Sequence, residues 1–197
     1  MIIVYGSRYG AAKRYAEKLA DMAGAAAIPF EDVSALRAAF EGTDKITFVY
    51  IGGVYAGSVR GLKKTARRLP AGKIDRLVVL AVGFAAAEDA RYAESLTASV
   101  VAQFPPSLRE RLSVFHLRGG IDYEKLSPAH RFLIKLMYLA GRGTPPEKQG
   151  AELRVVAEIY KKQVDRVDFT ALLPIYSTYC APGNGGQKDG GRGNARL

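Results

Sequence analysis

The chain contains few of the residues from which most catalytic and metal sites are built. Its 197 residues include one cysteine, two histidines and no tryptophan. Because Cys180 has no partner, no disulfide forms within the chain, which is consistent with a reducing compartment and a cytoplasmic location. His116 and His130 have no metal-ligand spacing around them, so we expect no metal site and no catalytic residue. We expect His116 to pack within a strand, and His130 to cap a helix or face solvent.

Long apolar runs and acidic residues are also scarce. No run of about 18 apolar residues occurs, which predicts no membrane-spanning helix, and no signal-peptide pattern opens the chain. The 19 acidic residues are outnumbered by 29 basic ones, giving a net charge of +10. Such a charge favours a nucleotide cofactor, an acidic redox protein, nucleic acid or an anionic membrane, without choosing among them. Because no recognition motif for nucleic acid accompanies the charge, we expect no nucleic-acid partner.

Apolar runs that alternate with helical patterns indicate the fold. We predict five strands, within residues 1–5, 25–30, 46–51, 77–82 and 112–117. We predict helices over residues 11–23, 31–40, 62–69, 88–104 and 151–163. The apolar strands lack polar alternation, which is typical of a parallel sheet covered on both faces. The sequence therefore predicts an α/β fold with a doubly wound parallel sheet of order 2-1-3-4-5.

Three loops are expected to meet at the carboxyl ends of these strands. They span residues 6–13, 52–58 and 83–87, and all are rich in glycine or alanine. Small residues allow a flat ring or a phosphate to approach the backbone. The first loop matches neither a P-loop nor a dinucleotide-binding fingerprint, because Gly6 and Gly10 are four residues apart with no third glycine in place. Two interpretations therefore stay open, a phosphate site at the helix N-terminus or a tight turn in which Ser7 caps the helix.

The region after the fifth strand is too long for an ordinary connection. Residues 118–123 predict a structured turn, and Ser127 and Pro128 predict the cap and first residue of a helix. That helix, residues 128–140, is apolar and is flanked by Arg131, Lys135 and Arg142. We expect it to form a surface for a partner, a substrate or the membrane periphery, or else to be buried in the core.

The predicted domain organisation follows from these elements. One domain spans residues 1–168 and contains the inserted segment 118–150. An apolar extension of uncertain form follows over residues 169–180. The tail, residues 181–197, is rich in glycine and polar residues and is expected to be disordered.

Four separated segments carry a resemblance to a known family: residues 5–17, 51–57, 115–127 and 167–170. Together they resemble the flavodoxin-like proteins that bind flavin mononucleotide (FMN), in a branch related to the menaquinone-dependent protoporphyrinogen oxidases. The resemblance covers roughly residues 1 to 175. It implies a flavodoxin-like doubly wound sheet of five strands, with an inserted helical segment after strand five.

The resemblance also implies a cofactor, a function and a set of site residues. The cofactor is FMN, and the function is electron transfer or quinone-linked oxidoreduction with a redox protein or a quinone as partner. Tyr55 and Phe84 are expected to lie against the flavin ring. The cofactor-binding residues implied are Ser7, Arg8, Tyr9, Gly10, Ala11, Ala12, Gly53, Val54, Tyr55, Ala56, Gly57, Gly83, Phe84 and Ala85.

The first loop departs from the family pattern at the phosphate. Tyr9, Ala11 and Ala12 stand where flavodoxin phosphate loops carry hydroxyl side chains. A hydrogen bond to a charged oxygen contributes on the order of 1.5–3 kcal/mol, so these replacements weaken an FMN site. A second hypothesis is therefore a flavodoxin-like module that binds flavin weakly or not at all and acts in protein interactions.

Overall fold

A parallel sheet forms the centre of the computed structural model, which describes residues 1–84, 89–145 and 148–180. Its strands are β1 (Ile2–Gly6), β2 (Ala27–Pro29), β3 (Ile46–Tyr55), β4 (Ser58–Val59), β5 (Ile74–Gly83) and β6 (Leu112–Arg118). The main path runs β2-β1-β3-β5-β6 with parallel pairing throughout, and β4 pairs only with β3. Apart from that short strand, this is the predicted order 2-1-3-4-5, and the predicted fold class is confirmed.

Helices cover both faces of the sheet. The helices of the described residues are α1 (Ala11–Ala23), α2 (Val33–Ala39), α3 (Leu62–Ala66), α4 (Ala90–Ala102), α5 (Pro106–Arg109), α6 (Pro128–Arg142), α7 (Ala151–Ile159) and α8 (Leu172–Ile175). Of these, α6 and α7 contribute no residue to the two clusters that pack on the sheet. Successive strand residues point to opposite faces, so Val49 and Val78 pack with α1 while Phe48 and Leu77 pack on the other side with α2 to α5. This two-sided burial is why the strands lack polar alternation.

The second predicted loop is mostly strand, which corrects the expectation for residues 52–58. β3 continues through Gly52 and Gly53, and the chain then turns at Ala56 and Gly57, whose φ angles are 46° and 71°. Two positive φ angles suit a two-residue hairpin turn, and β4 pairs back on β3. The strand glycines serve close packing, since a Cβ on Gly53 would lie 2.8 Å from Tyr55 Oη.

The inserted region contains a second, two-stranded sheet. Residues 118–123, predicted as a turn, include β7 (Gly120–Asp122), which pairs antiparallel with β8 (Gln163–Asp165). The predicted helix 151–163 ends earlier, at Ile159, since β8 follows it. The predicted cap of α6 is confirmed, because Ser127 Oγ accepts a hydrogen bond from the backbone N–H of His130.

The C-terminal segment, rather than α7, covers the sheet beside α1. Leu172 and Ile175 are fully buried in the cluster between α1 and the sheet. The buried residues of α7, Val156 and Ile159, belong to neither cluster on the sheet. The buried hydroxyl of Tyr15 fastens this arrangement because it donates to the Arg118 carbonyl and accepts from the N–H of Asp168. The segment predicted as a disordered tail lies outside the described residues.

Candidate functional site

One cavity at the carboxyl edge of the sheet connects all three loops. Its volume is about 390 Å³, within the range of small-molecule pockets. β1, β3 and β5 end there. The implied site residues in its walls are Tyr9, Ala11, Ala12, Gly53, Val54, Tyr55, Ala56, Gly83 and Phe84. The structure thus brings together residues that are up to 75 positions apart in the sequence, from Tyr9 to Phe84.

The remaining implied residues lie around this cavity or beyond it. Ser7, Gly10 and Gly57 shape the turns of the first and second loops without lining the cavity. Arg8 lines a neighbouring cavity of about 530 Å³. Ala85 lies outside the described residues.

The first loop ends in a helix terminus with free donors. Gly10 has a φ of 98° and precedes α1, whose first internal hydrogen bond runs from the N–H of Arg14 to the Gly10 carbonyl. No side chain caps the helix, and no acid lies in its first turn. The N–H groups of Ala11 and Ala12 therefore have no partner within the helix and lie at the positive end of its dipole.

Ser7 stabilises the turn, and its hydroxyl group can still donate a hydrogen bond. Its Oγ accepts a hydrogen bond from the N–H of Gly10 at 3.1 Å, so the hydroxyl proton is free to donate elsewhere. A Cβ placed on Gly10 would meet nothing within 4 Å, which leaves open space above the turn. These features fit a bound anion such as a phosphate. Ser7 stabilises the turn before α1 and does not cap the N-terminal N–H groups of the helix.

Tyr55 lies across the first loop. Its Oη accepts a hydrogen bond from the N–H of Arg8 at 3.2 Å, and its ring packs edge-on against Tyr9 at 5.9 Å between centroids. Burial raises the pKa of Tyr55, although the backbone N–H groups of Arg8 and Tyr9 lower it. The predicted ring-contacting residue thus joins the second loop to the first and uses one of the first loop's N–H donors.

Tyr9 connects the first loop to α6. Its Oη lies 2.5 Å from Nδ1 of His130, and the N–H of Ser127 approaches the same oxygen at 3.5 Å. The Tyr9 hydroxyl and Nδ1 share one hydrogen bond, in which the tautomer of His130 decides which group donates. Burial first and the charge of Arg8 second lower the pKa of His130. His130 therefore contacts the loop directly, which the sequence did not indicate.

Helices α6 and α7 form the wall of the cavity that sequence reasoning missed. Their lining residues are His130, Leu133, Ile134, Met137, Glu152, Val155, Val156 and Ile159. Tyr92 of α4 lines it too, and its pKa is raised by burial and by the Glu152 carboxylate. The spacing of positions 130, 134 and 137 was a usable signal for one inward helix face, but nothing local indicated what that face would cover.

The neighbouring cavity is polar and contains two ion pairs. Arg14 pairs with Asp165 at 2.7 Å, and Lys125 pairs with Asp122 at 3.1 Å. These partners lower the pKa of both aspartates, with the arginine and lysine hydrogen bonds as the largest causes. Arg8 also lines this cavity and has no acidic partner among the residues described. It is the cation that remains available beside the N-terminus of α1.

Two other sequence expectations concern histidines and metals. His116 is half-buried in β6 beside Thr97, with Nε2 2.9 Å from Oγ1, and burial lowers its pKa. Within residues 1–84, 89–145 and 148–180, no three metal-ligating side chains cluster, and no helix is long and apolar enough to cross a bilayer.

The strand order, the loop at the first helix and the cavity at the sheet edge define a flavodoxin-like α/β domain. A family model described as "Flavodoxin domain" matches residues 2–147, and the chain belongs to that family. A search of curated proteins finds no match.

Proposed function

We propose that this chain binds FMN at the carboxyl edge of its sheet and acts in electron transfer or quinone-linked oxidoreduction. The observation that carries the proposal is the cavity that reaches all three loops beside the uncapped end of α1. Bound flavin would supply one- and two-electron transfer. We include in this proposal a relationship to the menaquinone-dependent protoporphyrinogen oxidases. The partner would be a redox protein or a quinone.

The phosphate end of the site would be formed by backbone groups. The N–H groups of Ala11, Ala12 and Lys13 have no partner within α1, and Ser7 Oγ has a proton to donate. Arg8 adds a positive charge without an acidic neighbour among the described residues. A phosphate monoester carries a charge near −2, so the helix terminus and Arg8 both attract it.

The ring end of the site would be formed by apolar walls. Val54, Phe84, Ile134 and Met137 line it, and Tyr55 lies between the first and second loops. These walls exclude water and disfavour negative charge within the cavity. That environment lowers the reduction potential of a flavin, because reduction adds electrons to the ring.

A titration with two flavins tests this proposal. Riboflavin has the ring of FMN without its phosphate, so quenching of flavin fluorescence measures the ring and phosphate contributions separately. We expect FMN to saturate one site per chain and to bind at least about tenfold more tightly than riboflavin. A tenfold difference in affinity is what one charge-assisted hydrogen bond to the phosphate contributes. Equal affinities for FMN and riboflavin would contradict a phosphate site at the N-terminus of α1. If neither flavin is quenched, the whole proposal is overturned.

A second candidate function is a flavodoxin-like interaction module that has lost its flavin. Two observations favour it: Tyr55 Oη already uses the Arg8 N–H, and alanines occupy positions 11 and 12. The variant Ala11→Thr/Ala12→Thr separates the two candidates. If the unmodified chain gives no quenching and the variant does, flavin binding has been lost; if the unmodified chain binds tightly, the second candidate fails.

A further inference from the structure

Helix α6 presents three stripes of different chemistry along its length. At about 100° per residue, its inward stripe holds positions 130, 134, 137, 138 and 141. His130, Ile134 and Met137 of this stripe line the cavity, and Tyr138 stacks on Tyr160 at 4.1 Å. Most side chains of the other two stripes are exposed.

The second stripe is apolar and exposed. Phe132 is 70% exposed, Leu136 55% and Leu139 50%, and Leu133 beside them is 45% exposed. Among the described residues, one other large apolar side chain is as exposed, Leu173 in α8. The expectation that core burial explains the apolar character of this helix is therefore wrong.

The third stripe is cationic. Arg131, Lys135 and Arg142 lie within about 40° of one another around the axis, next to the apolar stripe. Arg131 contacts Glu124, whereas Lys135 and Arg142 are exposed. α6 contains no acidic residue, so nothing on the helix repels an anionic surface.

We propose that α6 docks the protein flat on an anionic membrane surface, with Phe132, Leu136 and Leu139 inserted among the lipids and the cations on the headgroups. A basic stripe beside an apolar one is the pattern of an interfacial helix. With 15 residues, α6 is about 22 Å long, too short to cross a bilayer. The proposal goes beyond flavin binding and does not depend on it.

A second copy of the chain fits this surface less well. The four exposed side chains present on the order of 400 Å², about half of the roughly 800 Å² that each partner of a stable interface contributes. A two-fold contact through the apolar stripe would also place the adjacent cationic stripes of both copies near each other, which is repulsive. Charge complementarity therefore selects the anionic lipid surface.

Vesicle sedimentation of the full chain tests the docking. We expect binding to phosphatidylcholine vesicles that contain phosphatidylglycerol, and at least tenfold weaker binding to phosphatidylcholine alone. Raising salt from about 0.1 M to about 1 M shortens the screening length from about 10 to about 3 Å and weakens the anionic contribution. Equal binding to both vesicles, or no binding to the anionic ones, overturns the proposal.

Matched variants locate the surface. Phe132→Gln/Leu136→Gln and Lys135→Gln/Arg142→Gln each weaken anionic-vesicle binding about tenfold or more, because apolar insertion and each cation contribute separately. The controls are Leu173→Gln, for an equally exposed apolar residue, and Lys63→Gln, for an exposed cation of α3; both leave binding unchanged. Thermal unfolding verifies that every variant is folded. The proposal fails if the controls weaken binding as much, or if Phe132→Gln/Leu136→Gln instead converts a dimer to a monomer in size-exclusion chromatography.

Discussion

An acid at the start of α1 should have opposite effects on the stability of the protein and on its affinity for FMN. α1 has no capping side chain and no acid in its first turn, so its N-terminal dipole is uncompensated. In the variant Ala11→Asp a carboxylate occupies this end. The same charge that compensates the dipole in the free protein would repel the phosphate of a flavin.

The two effects have different sizes. Compensation of a helix dipole contributes about 0.3–1 kcal/mol, which raises the melting temperature of a chain this long by about 1–4 °C. Repulsion is larger, because two unit charges about 4 Å apart interact by about 1 kcal/mol in water and by more in a protein cleft. For a phosphate near −2 the loss is about 2 kcal/mol or more, roughly a 30-fold increase in Kd.

Thermal unfolding without ligand and FMN titration measure both effects on the same samples. Asp21→Asn is the control, since it removes an acid from the other end of the same helix, about 15 Å away. It should also stabilise the free protein, yet leave the Kd for FMN unchanged. A Kd of Ala11→Asp for FMN within about threefold of that of the unmodified chain would contradict a phosphate site at the start of α1.

Two further predictions concern the fold and its pH dependence. Gly61→Ala should lower the free energy of unfolding by about 2–5 kcal/mol, because Gly61 has a φ of 77° and its Cβ would lie 2.5 Å from Phe30 Cγ. The control Gly72→Ala, with no such neighbour, should change the free energy of unfolding by less than about 1 kcal/mol. Equal effects of the two variants in urea denaturation would contradict this prediction. Burial lowers the pKa of His116 and His130 from 6.5, so folding favours their neutral forms and stability should be highest above about pH 6.5 and decline as the pH falls below it. Melting temperatures of the unmodified chain and of His116→Gln/His130→Gln from about pH 8 to 5 measure this, and a rise in stability on acidification in that range would contradict it.

The sequence predicted the sheet well because each long strand is apolar on both sides. Residues 46–51 and 77–82 have no polar alternation, and the structure buries them on two faces. The prediction of a loop over residues 52–58 was wrong, because the presence of glycine in a sequence does not distinguish a strand from a loop. Position 52 in β3 requires glycine, because a Cβ there would overlap the Val59 side chain across the hairpin. That contact exists only once the hairpin has formed.

The candidate site was predictable only where it follows directly from strand ends. Loops that follow parallel strands converge at one sheet edge, so the contributions of Tyr9, Val54 and Gly83 could be expected. The wall formed by α6 and α7 could not, because helix periodicity identifies an apolar face without identifying its neighbour. The hydrogen bond between Tyr9 and His130 joins residues 121 positions apart, and no local pattern encodes such a pairing.

Flavin binding itself is tested by the visible absorption spectrum of the freshly purified 197-residue chain, followed by gel filtration with added FMN. We expect the two visible bands of an oxidised flavin in the protein fraction, either as purified or after reconstitution with FMN. A protein fraction that stays colourless after incubation with excess FMN, and whose melting temperature does not change with FMN, would contradict it.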